Sequence, residues 1–124
     1  MIDEGALMTL KEIRLQQANA LLNKHGLIAT GWRVDFADLS MVPTKNLVGA
    51  SSYGAEGICV FLGKQILIDP KLMKHRNRFL DVVRHELAHS LTGPGAGHGP
   101  RWLAVARKVG CSEKSLSVYR VRFI

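Results

Sequence analysis

The run His85-Glu86-Leu87-Ala88-His89 sets two imidazoles four residues apart with a carboxylate between them. On a helix, positions i and i+4 stand one above the other on a single face, about 5–6 Å apart at Cβ. Two imidazoles at that spacing can close on one metal ion through bonds of about 2.0–2.1 Å. Glu86 is turned off the direct ligand direction and can reach a water on the metal instead. Two ligands and a general base from one turn of helix are what a zinc hydrolase needs. A third ligand is offered by His98, nine residues after His89 and just past Gly93-Pro94-Gly95-Ala96-Gly97. Glycine tolerates the positive φ values of a tight reversal, so the chain can fold back and aim His98 at the same ion. Three neutral imidazoles leave the fourth tetrahedral position open, which marks a catalytic rather than a closed structural site. His25 and His75 lie outside this arrangement and read as surface residues.

The spacing separates this pattern from other zinc hydrolases. A metzincin places a Gly about three residues, and its third His about six residues, after the second His; His98 falls too late for that. A thermolysin-like enzyme takes a downstream Glu, and Glu113 is the only one beyond residue 86, a weaker candidate than His98. Asp81, one turn before His85, can orient that imidazole; surface pairing with Arg84 or Arg78 is the favoured reading. For an oxyanion-stabilising group the chain offers Tyr53, Tyr119 and Arg84, none singled out by its spacing.

These residues need a helix, a reversal and a supporting scaffold. Phe79, Leu80, Val83, Leu87 and Leu91 recur at three- and four-residue steps, which predicts an amphipathic helix from about Asn77, as N-cap, to Leu91. The Gly/Pro segment ends it, and Pro100 opens a second helix with Trp102, Ala106 and Val109 on one side and Gly110 as its stop. Trp102 reads as core rather than as a base-stacking platform. Upstream, Leu7, Leu10, Ile13, Leu21 and Leu22 suggest a helix over residues 5–25 closed by Gly26. Trp32, Val34 and Phe36 alternate with polar neighbours as a half-buried strand does. Ile58–Leu62 and Gln65–Asp69 read as a hairpin turning at Gly63-Lys64, and Asp69-Pro70 as the start of a short helical turn. Leu47–Tyr53 and Tyr119–Phe123 are weaker strand candidates.

A chain of 124 residues suits one domain. Its 47% hydrophobic and 22% charged composition argues against disorder. The longest apolar run, Ile58 to Leu62, is far too short for a membrane span, so no membrane association is expected. No secretory signal opens the chain, and Cys59 and Cys111 cannot form a disulfide framework or a four-cysteine zinc site. A cytoplasmic setting follows as the expectation. The net charge of +7 is lopsided: residues 1–70 hold six Lys/Arg against seven Asp/Glu, and residues 71–124 hold eleven against three. That half invites a polyanion partner, or is a solvated face that aids solubility.

The run Val83-Arg84-His85-Glu86-Leu87-Ala88-His89, then Gly97-His98-Gly99-Pro100 and Trp102, resembles the SprT/Spartan family of metalloproteases. A Gly31-Trp32 strand and an Ile66-Leu67-Ile68 strand ahead of the helix agree, so the likeness covers about residues 30–110. It implies an α+β, minimal zincin-like fold, with the HExxH helix packed with other helices against a small three-stranded β-sheet. One SprT-like domain would then occupy residues 1–124, its core at about 30–110. The resemblance also implies a Zn2+ cofactor held by His85, His89 and His98, Glu86 as the catalytic carboxylate, and an association with DNA that extends to proteolysis of proteins crosslinked to it. Many relatives carry a zinc ribbon or other DNA-binding module after the core. Here fourteen residues follow Gly110, and Cys111 is the only cysteine among them. DNA contact is therefore expected from Lys71, Lys74, Arg78, Arg101 and Lys108, and should be weak, sequence-tolerant and salt-dependent.

The expected activity is zinc-dependent hydrolysis of a protein or peptide substrate, which can add as a strand to the sheet edge. Two other readings stand beside it. One is a zinc hydrolase acting on another substrate such as cell-wall peptide. The other is a nucleic-acid-binding module whose zinc is mainly structural.

Overall fold

The computed structural model describes residues 7–40 and 55–116. The first helix, α1 (Leu10–Lys24), starts later than its apolar spacing suggests, because Thr9 and Glu12 form a reciprocal capping box. Residues 7–9 stay outside it, and the rest of the expected start lies outside the described residues. Its packed face matches the expected one at Leu21 and Leu22 and differs before them. Ala18 and Leu22 are fully buried, with Leu15 and Leu21 against the same core, whereas Leu7, Leu10 and Ile13 are exposed. Gly26 closes the helix at φ +77°, with Leu27 N–H donating to Leu22 O at 2.9 Å.

The sheet has three short strands, β1 (Arg33–Phe36), β2 (Gly57–Val60) and β3 (Gln65–Ile68), in the order β1-β3-β2. β2 and β3 form the expected hairpin, antiparallel with Val60 opposite Gln65, and Gly63-Lys64 sit in its turn. β1 joins β3 in parallel, Val34 opposite Ile66, so the sheet is mixed. On the far side of β1, Asn19 Oδ1 of α1 accepts the Val34 N–H at 3.1 Å. That bond satisfies an edge amide and fixes the helix against the sheet. Asp69 caps the 3₁₀ turn Pro70–Leu72, as its pairing with Pro70 implies. Its second oxygen accepts from Leu39 N–H at 3.0 Å, tying the segment after β1 to the end of β3.

α2 (Arg76–Thr92) lies against β2, β3 and α1. It begins one residue before Asn77; His75 is the cap and Asn77 lies in the first turn. Phe79, Val82, Val83 and Leu87 join Ile66, Ile68, Val34 and Trp32 in the main core. Leu91, at the helix end, is 41% exposed instead of packed. α3 (Pro100–Lys108) starts at Pro100 and stops before Gly110. It buries Trp102 and Ala106 against Ala88 of α2 and Leu116, a second, smaller core. Residues 113–116 are again helical. The chain is thus α+β, with helices packed on a small mixed sheet. The strand candidates 47–53 and 119–123 lie outside the described residues. No described helix is long and apolar enough to cross a membrane.

Candidate metal centre

α2 carries His85, Glu86 and His89 on the turn that runs between the sheet and α3. The reversal after it works as its composition implies. Gly97 adopts φ +56°, a value costly for any residue with a Cβ, and delivers His98 back over α2. Ala96 and Gly99 amides close successive turns onto Gly93 O and Ala96 O, at 3.3 and 3.1 Å. His98 Nε2 ends 3.0 Å from both His85 Nε2 and His89 Nε2.

Three ring nitrogens therefore meet at one point, with candidate ligand atoms within 4.8 Å of one another. Bonds of about 2.0–2.1 Å at tetrahedral angles separate donor atoms by roughly 3.3–3.4 Å. The 3.0 Å contacts lie a few tenths below that, so the three residues fit a metal ion. Their donor set, all imidazole nitrogen, suits a borderline transition metal and not a hard cation such as Ca2+. Burial, followed by the neighbouring imidazoles, lowers His85 well below its ordinary 6.5, and burial with His98 beside it lowers His89 to about 3. Both rings are held neutral, the form that binds metal.

Trp102 is the floor of the centre. It is fully buried, its ring lies 4.7, 5.5 and 4.8 Å from those of His85, His89 and His98, and its Nε1–H donates to His85 O at 3.3 Å. It is core, as expected, but core that packs against all three candidate ligands. His75 is exposed at the start of α2 and His25 is half-buried at the end of α1, so neither joins the cluster.

Glu86 faces a cleft of about 310 Å³ together with Gly57, His85, Arg78, Lys114 and Ser115. Burial pushes its carboxyl up to about 8. Gly57 makes this placement possible, and nothing in the sequence pattern marks it. A Cβ there would sit 2.7 Å from Val82 Cγ1 and 3.2 Å from both Glu86 Cγ and Ile68 Cδ1. Gly57→Ala should therefore destabilise the protein by about 1–3 kcal/mol, the usual range for overpacking, read as a lower urea midpoint.

The remaining candidates are distributed differently from expectation. Arg84 runs beside Gly110. Tyr53 and Tyr119 lie outside the described residues. Asp81 forms no ion pair with an arginine among the described residues; it is buried and accepts from Ser112 N–H at 2.8 Å and Ser112 Oγ–H at 2.6 Å. Arg78 is ion-paired with Glu56. Glu113 is exposed and is not among the clustered metal-ligating groups. The residue found at His85 Nδ1 is Ser115, with its Oγ 3.1 Å away. No local spacing foretells that contact, because it depends on the C-terminal segment returning to α2.

The pH response of the metal-free protein follows from three groups. Below about 6.5 the unfolded chain protonates His85 and His89 while the folded chain resists, so stability falls as pH drops. Between the ordinary 4.5 of Glu86 and about 8, the unfolded chain loses a proton that the folded chain keeps, which lowers stability as pH rises. Two histidines outweigh one glutamate on the acid side. The denaturation midpoint in chelator should therefore peak near pH 6.5 and decline in both directions.

A family model described as the SprT-like family matches residues 44–121. The matched range contains α2, His98, α3 and the segment that carries Ser115. No curated protein and no solved structure matches the chain.

Proposed function

The chain belongs to the SprT-like family, and from that premise we propose that it is a zinc metalloendopeptidase with a minimal zincin-like fold. His85, His89 and His98 hold the metal and Glu86 is its catalytic base. The observation that carries this reading is the meeting of three imidazole nitrogens beside a buried carboxylate that faces an open cleft. A closed structural site would use a fourth protein ligand and would need no such carboxylate.

When bound, zinc supplies Lewis acidity, polarising the scissile carbonyl and acidifying the attacking water. Glu86 takes the proton from that water and passes it to the leaving amine. Its buried setting keeps its proton affinity far above that of a surface carboxylate, which suits a group that must hold a proton in transit. The neutral state of His85 and His89 keeps their lone pairs available as ligands. The β2 edge lies beside Glu86, and an extended peptide laid along it would present its backbone to the cleft through hydrogen bonds that are indifferent to sequence.

The substrates we infer are DNA-associated proteins in the cytoplasm, reached through weak contacts with DNA phosphates. Lys71, Lys74, Arg101 and Lys108 are exposed and free of carboxylate partners among the described ion pairs, whereas Arg78 is engaged by Glu56. The test is cleavage of a denatured DNA-binding protein by the full chain, with and without DNA, at low and moderate salt. Cleavage that DNA accelerates at low salt, with the acceleration fading as salt rises, supports the reading. Cleavage indifferent to DNA at every salt concentration would remove DNA from it and leave the peptidase.

A further inference from the structure

We propose that Ser115 is a positioning residue for the metal centre: its hydroxyl fixes the ring orientation and tautomer of His85, and Asp81 holds it there through Ser112. The proposal rests on the reading of His85 as a metal ligand.

Each link of this chain is a hydrogen bond. Asp81 lies on α2 one turn before His85, and its two carboxylate oxygens accept from the Ser112 amide and hydroxyl. Ser112 Oγ in turn accepts from Ser115 N–H at 3.2 Å, and Ser112 O accepts from Leu116 N–H at 2.9 Å. Ser112 is thus the cap of the helical turn 113–116, and the buried carboxylate of α2 holds that cap. Leu116 packs with Ala88, Trp102 and Ala106 on the other side of the turn. Between these two anchors Ser115 is buried, with Oγ 3.1 Å from His85 Nδ1.

The chemistry sets the direction of the last bond. His85 Nε2 points to the shared centre, so the neutral ring carries its proton on Nδ1 and donates it to Ser115 Oγ. A ligating imidazole usually donates its other N–H to a carboxylate, carbonyl or water, and loss of such a partner typically weakens metal binding about 10–100-fold. Here the partner is a side chain from the C-terminal segment, so the metal affinity depends on that segment being docked.

The test compares Ser115→Thr with Ser115→Val, two side chains of nearly equal shape that differ in the hydroxyl. Zinc affinity of the full chain is read by competition with a chromophoric chelator, and ligand geometry by the d–d bands after Co2+ substitution. Ser115→Thr should keep the wild-type affinity and spectrum. Ser115→Val should bind zinc about 10–100-fold more weakly with altered Co2+ bands. Asp81→Asn, which weakens the hold on Ser112, should shift affinity in the same direction as Val. Equal zinc affinity and equal spectra for Thr and Val would overturn the role of the hydroxyl while leaving the three-histidine centre standing. A wild-type chain that takes up no zinc, or His98→Ala binding as tightly as wild type, would overturn the centre itself and the proposal with it.

Discussion

Glu86→Gln should slow peptide hydrolysis by about 10²–10⁴-fold, the usual contribution of a positioned general acid–base group, while leaving the metal in place. The amide matches the carboxylate in volume, so it keeps the close packing of Glu86 Cγ beneath Gly57. It cannot accept the proton of the attacking water or return one to the amine. Burial raises the wild-type carboxyl to about 8, and a cation among the three imidazoles would draw it back toward neutrality, where a base is most effective. Single-turnover cleavage measures the rate and chelator competition measures the metal. A variant that cleaves as fast as wild type would remove Glu86 from the mechanism.

His98→Ala should have the second large effect. Structural zinc sites with four protein ligands contribute about 10–16 kcal/mol. One ligand of three should then be worth about 3–4 kcal/mol, roughly 10²–10³-fold in affinity. His98 is the member shared by both short nitrogen contacts, so its loss leaves only the two imidazoles of α2. Hydrolysis should fall with the bound metal and recover in part at high zinc. Glu113→Gln provides the contrast: Glu113 lies outside the cluster, and its substitution should leave zinc affinity at the wild-type level. The reverse outcome, with Glu113 decisive and His98 dispensable, would favour a thermolysin-like ligand set.

The parts of this centre that follow from local chemistry were legible in the sequence. His85, Glu86 and His89 are arranged by helical periodicity alone, and Gly97 before His98 announces a reversal whatever the rest of the fold does. The Asp69-Pro70 cap, the β2–β3 hairpin and the Gly26 and Gly110 helix stops are equally local. What escaped depends on contacts distant along the chain. Gly57 matters because β2 approaches α2 within the space of a missing methyl group, and a lone glycine carries no sign of its future neighbour. The sequence sets Asp81 against arginines on its own helix, since i+3 pairs are visible there. Its actual partner, Ser112, comes from beyond α3. The same return of the chain places Ser115 on His85. The first half of the α1 face differs for a simpler reason: Leu21 and Leu22 pack as their spacing implies, but the leucines support two registers, and only the packing against α2 and β1 selects Leu15 and Ala18 over Leu10 and Ile13.

The basic second half also has a sharper meaning. Arg78 is ion-paired with Glu56 at the cleft, whereas Lys71 and Lys74 before α2, Arg76 at its start, and Arg101, Arg107 and Lys108 on α3 are exposed. Under the proposed function, phosphate contacts made by these residues would lie close in sequence to the helix that carries His85 and His89.

The most direct measurement is cleavage of a denatured DNA-binding protein by the full chain, first as purified, then after chelation, then after zinc is restored. Cleavage should stop on chelation and return with about one zinc per chain. Cleavage that continues undiminished in the metal-free protein would contradict the assignment of His85, His89, His98 and Glu86 as a zinc peptidase centre.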